Sequence, residues 1–305
     1  MITESIPAKG APRLSSVTCL STAGLHRMAY QEWGDPDNPE VVVCVHGLTR
    51  TGDDFNTLAM ALSDRFRVVC PDVVGRGRSS WLRDPMLYGV PLYAADMTTL
   101  MARLGVDNVR WVGTSMGGLI GMTLAAMAGS PIRQLVLNDV GAVLSGAALA
   151  RIGTYVGAFI EFDSRAQALV ALREIFAGFG PHSEAQWQQL SEPMLREIDG
   201  SGRVRLHYDP AIAEPFRKAY PAQPPEGGAY ADIHLWPMYD AIACPTLVLR
   251  GAQSDLLDAD VLREMSRRGP MALTCEFPGV GHAPTLMSAE QISVVRTFLE
   301  NHSVP

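Results

Sequence analysis

Short apolar runs alternate with helical patterns along most of the 305-residue chain, and this alternation constrains the fold more than any other feature. The predicted strands are 41–46, 67–70, 109–112, 134–138, 246–250 and 273–277. The predicted helices are 55–63, 92–104, 116–128, 259–267 and 289–301. Buried strands separated by helices are typical of a mostly parallel sheet with helices on both faces. The sequence therefore predicts an α/β fold, preceded by a hairpin of residues 14–20 and 25–33.

The alternation stops after Val140 and resumes at Cys244. The 103 residues in between contain helical patterns, roughly at 147–162, 164–178, 184–198 and 210–220. Because the sheet pattern returns after them, an insertion into one α/β domain explains the sequence better than a separate C-terminal domain does. We expect a core made of residues 1–139 and 243–305, and an inserted helical cap made of residues 140–242.

The composition of the chain argues against nucleic acid as a partner. Asp and Glu number 32 whereas Lys and Arg number 25, which gives a formal net charge of −7. Proteins that bind nucleic acid usually carry a clustered basic patch, and the basic residues of this sequence are not clustered. The five cysteines show no CxxC spacing, so we expect free thiols and neither a zinc site nor a disulfide framework.

Two segments bear on where the protein works. The N-terminal sequence MITESIPAKG has Glu4 and Pro7 where the apolar region of a signal peptide would stand, which favours a cytoplasmic protein. Residues 111–132 carry no charge and are long enough to span a bilayer. They also contain five glycines, with Thr114 and Ser115 near the start, as a strand, a tight turn and a buried helix would. We therefore expect a soluble protein with no membrane partner.

The most informative motif is G-x-S-x-G, centred on Ser115 between a predicted strand and a predicted helix. A serine on such a sharp turn has a strained backbone, and side chains two residues away would collide with their neighbours. Gly113 and Gly117 remove those side chains. The hydroxyl of Ser115 is then exposed at the carboxyl edge of the sheet, where a nucleophile can meet a substrate.

A serine hydroxyl needs a base, and His282 is the best candidate. It follows the last predicted strand in the sequence Gly279-Val280-Gly281-His282, at the same edge of the sheet as Ser115. The imidazole in turn needs a carboxylate that fixes its tautomer. Our prediction for this acid is Asp255, which follows the predicted strand 246–250.

Two other aspartates compete for the role of the acid. Asp258 lies close to Asp255, but its position suits the N-cap of the helix that begins near residue 259. Asp139 stands just after the preceding predicted strand and remains a second alternative. The chain order Ser115, Asp255, His282 is the order found in G-x-S-x-G hydrolases.

Acyl transfer also needs N–H donors for the oxyanion of the tetrahedral intermediate. The N–H of Met116, directly after the serine, is one candidate. The N–H of Leu48 is the other, because Gly47 lets the chain turn tightly after the predicted strand 41–46. We interpret His46 as a structural hydrogen-bonding residue, and Asp53 and Asp54 as caps of the helix that follows.

At these residues the chain resembles the α/β-hydrolase-fold serine hydrolases that carry a helical cap. The resemblance covers nearly the whole chain and rests on five matches: His46-Gly47, the turn DVVGRGRS at 72–79, the motif at Ser115, Gly251 with Asp255, and Gly281-His282. It implies that the turn at 72–79 is structural and that the reaction uses no metal and no organic cofactor. It also implies a pocket between the sheet edge and the cap.

The resemblance implies hydrolysis of carboxylic esters with small or medium acyl groups, through an acyl-enzyme intermediate. Lactonases and C–C bond hydrolases use the same triad and remain alternatives. A non-catalytic small-molecule receptor of this fold is disfavoured, because every expected member of the triad is present. Arg50 is open to two interpretations, as a contact for a substrate carboxylate or as a structural residue. The substrate and the oligomeric state are not predicted.

Overall fold

The computed structural model of the chain describes residues 10–158, 160–219, 228 and 230–301. The N-terminal residues Glu4 and Pro7, and Tyr220 at the end of a predicted helix, lie outside the described residues. The strands are β1 (Arg13–Ser21), β2 (Gly24–Trp33), β3 (Val41–Val45), β4 (Arg67–Pro71), β5 (Val109–Thr114), β6 (Ile132–Asn138), β7 (Val143–Leu144), β8 (Glu161–Phe162), β9 (Leu195–Glu197), β10 (Val204–Leu206), β11 (Ile233–His234), β12 (Thr246–Gly251) and β13 (Leu273–Phe277). The helices are α1 (Asn56–Leu62), α2 (Val90–Leu104), α3 (Met116–Ala125), α4 (Gly146–Tyr155), α5 (Arg165–Ile175), α6 (Glu184–Ser191), α7 (Ala213–Ala219), α8 (Trp236–Asp240), α9 (Ala259–Met265) and α10 (Ala289–Asn301).

Eight of the strands form one sheet in the order β1-β2-β4-β3-β5-β6-β12-β13. The hairpin β1–β2 and the pair β2–β4 are antiparallel, and the pairs from β4 to β13 are parallel. The α/β architecture, the strands and the hairpin predicted from the sequence are confirmed. In a parallel sheet the carboxyl ends of the strands lie at one edge, so the loops after β3, β5, β6, β12 and β13 meet there.

Helices cover both faces of this sheet, because the strands are apolar on both sides. Along β3, residues Val41, Val43 and Val45 belong to one hydrophobic cluster, together with buried residues of α2 and α3. The alternate residues Val42 and Cys44 belong to a second cluster, with buried residues of α1 and α10. Successive side chains of a strand point to opposite faces, so each face receives its own layer of helices.

The segment between β6 and β12 is mostly helical, but it also contains short strands that the sequence patterns did not indicate. Strands β8, β10 and β9 form a three-stranded antiparallel sheet, and β11 pairs with β7. The helix expected over 147–162 ends at Tyr155, because Val156 is extended and Gly157 has a φ of +76°. The helix expected over 184–198 ends at Ser191, shortly before Pro193.

The uncharged stretch 111–132 divides into most of β5, the turn at Ser115, α3 and the start of β6. None of the helices in the described part of the chain is both long and apolar enough to cross a membrane.

Candidate active site

Ser115 lies on the sharp turn between β5 and α3, with a φ of +51° and a ψ of −112°. This left-handed region is unusual for a residue with a side chain, and strained backbone of this kind is common at functional sites. The turn requires glycine at position 117, where an added Cβ would lie 1.9 Å from the carbonyl oxygen of Val45. The backbone N–H of Ser115 donates to the carbonyl oxygen of Asn138, 2.9 Å away, which fixes the turn to the end of β6.

His282 lies in the loop between β13 and α10, and its Nε2 is 3.0 Å from the Oγ of Ser115. Its Nδ1 is 2.7 Å from the Oδ2 of Asp139. A carboxylate accepts hydrogen bonds, so the proton of the neutral ring belongs on Nδ1. Nε2 is then free to accept the hydroxyl proton of Ser115, which joins the three side chains in one chain of hydrogen bonds.

The carboxylate of Asp139 is completely buried and surrounded by donors. Besides His282, the backbone N–H of Gly251 donates to its Oδ1 at 2.9 Å, and the hydroxyl of Ser254 donates to its Oδ2 at 2.6 Å. Asp139 has a φ of +57°, and its own N–H donates to the carbonyl oxygen of Leu249. These contacts hold the carboxylate aimed at the imidazole.

The structure corrects the prediction that Asp255 contacts His282. The side chain of Asp255 is 56% exposed and forms an ion pair with Arg151 of α4. Asp139 takes the position because it directly follows β6, whereas the loop after β12 carries Asp255 away from the imidazole. Asp258 caps α9 as expected, with its carboxylate accepting from the N–H of Asp260 at 2.7 Å.

Ser254 and the Gly251 N–H, which donate to Asp139, are not indicated by the sequence patterns. The one feature of the sequence that points to Ser254 is its position in the loop from Gly251 to Asp255, which places a small hydroxyl residue at the edge of the sheet. A hydroxyl in such a loop is common, so the pattern alone does not reveal its partner.

The two predicted oxyanion donors flank the nucleophile in the fold. Met116 is the first residue of α3, directly after Ser115. The turn after β3 lies beside the serine, since an added Cβ on Gly47 would be 3.9 Å from the Cβ of Ser115. The carbonyl oxygen of Leu48 accepts a hydrogen bond from the Nε of Arg76 at 2.8 Å. That the N–H groups of Leu48 and Met116 bind the oxyanion stays a prediction.

His46 supports this turn and is not placed to act as a second base. Its Nδ1 donates to the carbonyl oxygen of Gly47 at 2.7 Å, and its Nε2 accepts from the N–H of Val73 at 2.9 Å. Burial lowers the pKa of His46 to about 3, with a further contribution from the nearby charge of Arg76. The ring is therefore neutral at physiological pH, and its structural role is confirmed.

Arg50 is a structural residue and not a free contact for a substrate carboxylate. Its guanidinium is buried, pairs with Asp54 at 2.6 Å and donates to the carbonyl oxygen of Leu190 at 2.8 Å. Asp53 pairs with Arg78 at 2.7 Å. The interpretation of Asp53 and Asp54 as helix caps is wrong, because the N-cap of α1 is Phe55, no side chain caps this helix, and both carboxylates pair with arginines.

One cluster in the described part of the chain could offer three donors to a metal ion: Cys19, His26 and Asp96, whose ligand atoms lie within 4.8 Å of one another. The Nε2 of His26 is already 2.9 Å from the carboxylate of Asp96. Burial raises the pKa of the Cys19 thiol to about 12, so this sulfur is protonated at neutral pH. A thiol binds metals as the thiolate, so we interpret the cluster as a polar link between the hairpin and α2.

A serine, a histidine and a buried carboxylate, hydrogen-bonded in that order, form the arrangement with which serine hydrolases attack carbonyl groups. Comparison with known proteins identifies the family. The family described as the alpha/beta hydrolase fold matches residues 40–286, and the chain belongs to this family. It is a hydrolase of carboxylic esters.

Three similar proteins cover almost the entire chain. A 3-hydroxybutyrate-oligomer hydrolase of Cupriavidus necator is 52% identical over 290 residues, which are 94% of this chain and 98% of that protein. The crystal structure of an alpha/beta hydrolase from Novosphingobium aromaticivorans is 37% identical, with a TM-score of 0.80 over 94% of this chain and 98% of the other. The structure of a putative hydrolase from Rickettsia typhi is 31% identical, with a TM-score of 0.86 over 95% of this chain and 100% of the other.

Proposed function

We propose that the protein hydrolyses the ester bonds of linear 3-hydroxybutyrate oligomers, with Ser115 as nucleophile, His282 as base and Asp139 as acid. The hydrogen-bonded chain from Ser115 through His282 to Asp139 carries the assignment of the reaction. The choice of substrate is supported by the similarity to the oligomer hydrolase of Cupriavidus necator. Such oligomers join each carboxyl group to the 3-hydroxyl of the next unit, so they are carboxylic esters.

The first half of the reaction transfers the acyl group to the enzyme. The Oγ of Ser115 attacks the ester carbonyl carbon while the Nε2 of His282 takes the hydroxyl proton. The N–H groups of Leu48 and Met116 donate to the oxyanion of the tetrahedral intermediate. The intermediate collapses, the carbon–oxygen bond to the leaving unit breaks, and His282 protonates the departing 3-hydroxyl oxygen.

The second half restores the enzyme by the same steps with water as the nucleophile. His282 takes a proton from the water, whose oxygen attacks the acyl-serine carbonyl. The tetrahedral intermediate then collapses, the bond between the acyl carbon and the Oγ of Ser115 breaks, and His282 returns the proton to Oγ as the carboxylic acid is released. Asp139 stabilises the positive imidazole that forms in both halves, and its buried carboxylate needs no reorganisation, because Gly251 and Ser254 already hold it.

Residues 140–242 form the cap in this proposal, over a core of residues 1–139 and 243–305. Contacts between this segment and the His282 loop support the division. The N–H of Gly281 donates to the carbonyl oxygen of Gly178 at 2.7 Å, and the Nε2 of His182 lies 2.7 Å from the Oγ1 of Thr285. A segment attached beside the base is in a position to shape the substrate pocket.

The proposal also covers cellular location and partners: the protein acts in the cytoplasm on a small ester, and nucleic acid is not a partner. The cysteines, which are all free, suit a reducing compartment. The net charge of −7 disfavours a polyanionic partner.

The test is the hydrolysis of a linear 3-hydroxybutyrate trimer by the wild type and by Ser115→Ala, with Ser201→Ala as the matched control. Ser201 lies exposed in the turn between β9 and β10, so its variant should keep wild-type activity. We expect Ser115→Ala to release no monomer above background. Equal rates for Ser115→Ala and the wild type would exclude Ser115 as nucleophile.

Two further outcomes test the identity of the substrate independently of the type of reaction. If the wild type cleaves a short-chain chromogenic ester but leaves the trimer intact, the protein is an ester hydrolase and the proposal that the oligomer is its substrate is wrong. Faster turnover of a four-membered or five-membered lactone than of the trimer would instead make the protein a lactonase.

A further inference from the structure

Arg76 lies in the turn after β4, and its side chain is completely buried beside the candidate active site. Its Nε donates to the carbonyl oxygen of Leu48 at 2.8 Å. One terminal nitrogen donates to the carbonyl oxygen of Val74 at 2.7 Å and to the hydroxyl of Tyr93 at 2.9 Å. The other terminal nitrogen is 3.6 Å from the sulfur of Met116. The guanidinium therefore contacts both residues whose N–H groups are assigned to the oxyanion.

Within the described part of the chain, no carboxylate pairs directly with the charge of this guanidinium. Among residues 10–158, 160–219, 228 and 230–301, no carboxylate oxygen lies within 4.0 Å of Arg76. Its neighbours are instead carbonyl oxygens, a hydroxyl and the ring faces of Tyr88 and Tyr93, at 5.7 Å and 5.1 Å from the guanidinium carbon. The carboxylate of Asp209 accepts instead from the hydroxyl of Tyr88, at 2.6 Å. Buried charges are usually paired, so an unpaired one leaves a positive potential in a region of low dielectric.

Other contacts already hold the turn in which Arg76 lies. The carboxylate of Asp72 accepts from the N–H groups of Gly52 and Arg78, each at 2.8 Å. The N–H of Gly77 donates to the carbonyl oxygen of His207 in the segment between β6 and β12. These hydrogen bonds stabilise the turn without the side chain of Arg76. The guanidinium is therefore not needed to hold the turn and can serve the neighbouring site.

We propose that Arg76 is a positioning residue for the oxyanion hole. Its hydrogen bond to the carbonyl oxygen of Leu48 restrains the orientation of that residue, and its contact with the sulfur of Met116 places the positive charge beside the side chain of the second donor residue. The field of this charge stabilises the alkoxide that develops when Ser115 attacks a carbonyl. This inference rests on the proposed function, because it assigns a role in the same reaction.

The experiment compares Arg76→Lys and Arg76→Met with the wild type, after circular dichroism has measured the folded fraction of each. We expect Arg76→Met to lower kcat by about 100-fold, as the loss of one oxyanion contact does, with KM changed by less than about threefold. Arg76→Lys should be intermediate, because it keeps the charge but not the planar donors that reach Leu48.

A second measurement distinguishes positioning from stability. A short-chain trifluoromethyl ketone forms a hemiketal with a catalytic serine, and its alkoxide occupies the oxyanion hole. We expect its inhibition constant to rise in proportion to the loss of kcat/KM across the variants, because a transition-state analogue reports the same interaction. A purely structural role would lower the folded fraction and leave this constant unchanged.

Arg67→Met is the matched control, because Arg67 is a partly buried arginine at the amino end of β4, where it pairs with Glu32. It should change stability but neither kcat nor the inhibition constant. Wild-type values of both quantities in any folded variant of Arg76 would overturn the inference, and Arg76→Lys decides the question if Arg76→Met does not fold. Activity in Ser115→Ala would instead contradict the proposed function itself.

Discussion

Asp139 and Asp255 follow neighbouring strands of the sheet, β6 and β12, and only Asp139 reaches the imidazole of His282. Both positions are at the carboxyl edge, so a sequence pattern that identifies strand ends cannot choose between them. The choice depends on a single backbone conformation, because Asp139 turns inward with a φ of +57° immediately after β6. Ser115 and His282 are easier to predict, since glycines flank each of them at the required turns.

Replacement of Asp139 tests directly whether this residue is the acid that supports His282. We expect Asp139→Asn to lower kcat by about three to four orders of magnitude. The three groups around this carboxylate, from His282, Gly251 and Ser254, all donate hydrogen bonds to it, so the amide NH₂ of asparagine must face a donor. The imidazole can relieve the conflict only by moving its proton to Nε2, where it can no longer accept from Ser115. The measurement is steady-state hydrolysis of a chromogenic ester.

Asp255→Asn is the matched variant, because it makes the same chemical change one strand away. It removes an exposed ion pair with Arg151, and exposed pairs contribute at most about 1 kcal/mol to stability. Its kcat should stay within about threefold of the wild type. The reverse result, with a large loss in Asp255→Asn and none in Asp139→Asn, would return the role of the acid to Asp255.

Helix α3 approaches β3 so closely that no side chain fits at the crossing. The Cβ of an alanine at position 117 would lie 1.9 Å from the carbonyl oxygen of Val45, and backbone cannot yield as the end of a flexible side chain can. The glycine therefore acts on packing as well as on the turn, since it sets the distance between the helix behind the nucleophile and the strand that leads to Leu48.

We predict that Gly117→Ala reduces the free energy of unfolding by at least about 3 kcal/mol, as severe overpacking does. Gly153→Ala is the control, because Gly153 lies inside α4 and, among the described residues, an added Cβ would meet no atom within 4 Å apart from its chain neighbours and the backbone of its own helix. It should raise the free energy by about 0.5–1 kcal/mol, since alanine favours a helix over glycine. Urea unfolding measures both, and equal stability of the two variants would contradict the close approach.

The strands of the large sheet were predictable because each is a run of apolar residues buried on both faces. The strands between β6 and β12 were not, because they have only two or three residues and show no alternation long enough to recognise. Four of the five helices described in the same segment match predicted ones, and α8 was not predicted. Two of the predicted helices extend too far, since their ends depend on local backbone changes at Gly157 and Pro193.

The stability of the whole molecule depends on pH through His46, which is buried and neutral. In the unfolded chain this group has a pKa near 6.5, whereas burial in the folded protein lowers the pKa to about 3. Between these values the unfolded state binds a proton that the folded state does not. The free energy of unfolding therefore falls as the pH drops below about 6.5, and this loss continues until about pH 3.

We predict that His46 accounts for a loss of about 1 kcal/mol between pH 7 and pH 5.5. His46→Gln should be less stable at pH 7, because it loses the hydrogen bonds to Gly47 and Val73, but its stability should change less over this interval. His234→Gln replaces an exposed histidine and should keep the wild-type pH dependence. Urea unfolding at the two pH values measures the difference. An unchanged slope in His46→Gln would show that this group is not responsible.

Ser115 and Asp139 both precede the segment between β6 and β12, and His282 follows it, so this segment interrupts the chain between the acid and the base. Recombination with crossovers near Val140 and Cys244 would therefore exchange the whole segment as one continuous piece of gene. The nucleophile and the acid would stay together on the first piece of the chain, and the base would stay on the last. If the segment shapes the pocket as proposed, a library of related inserts that keep the contacts of Gly178 and His182 with the His282 loop would change substrate preference without altering Ser115, Asp139 or His282.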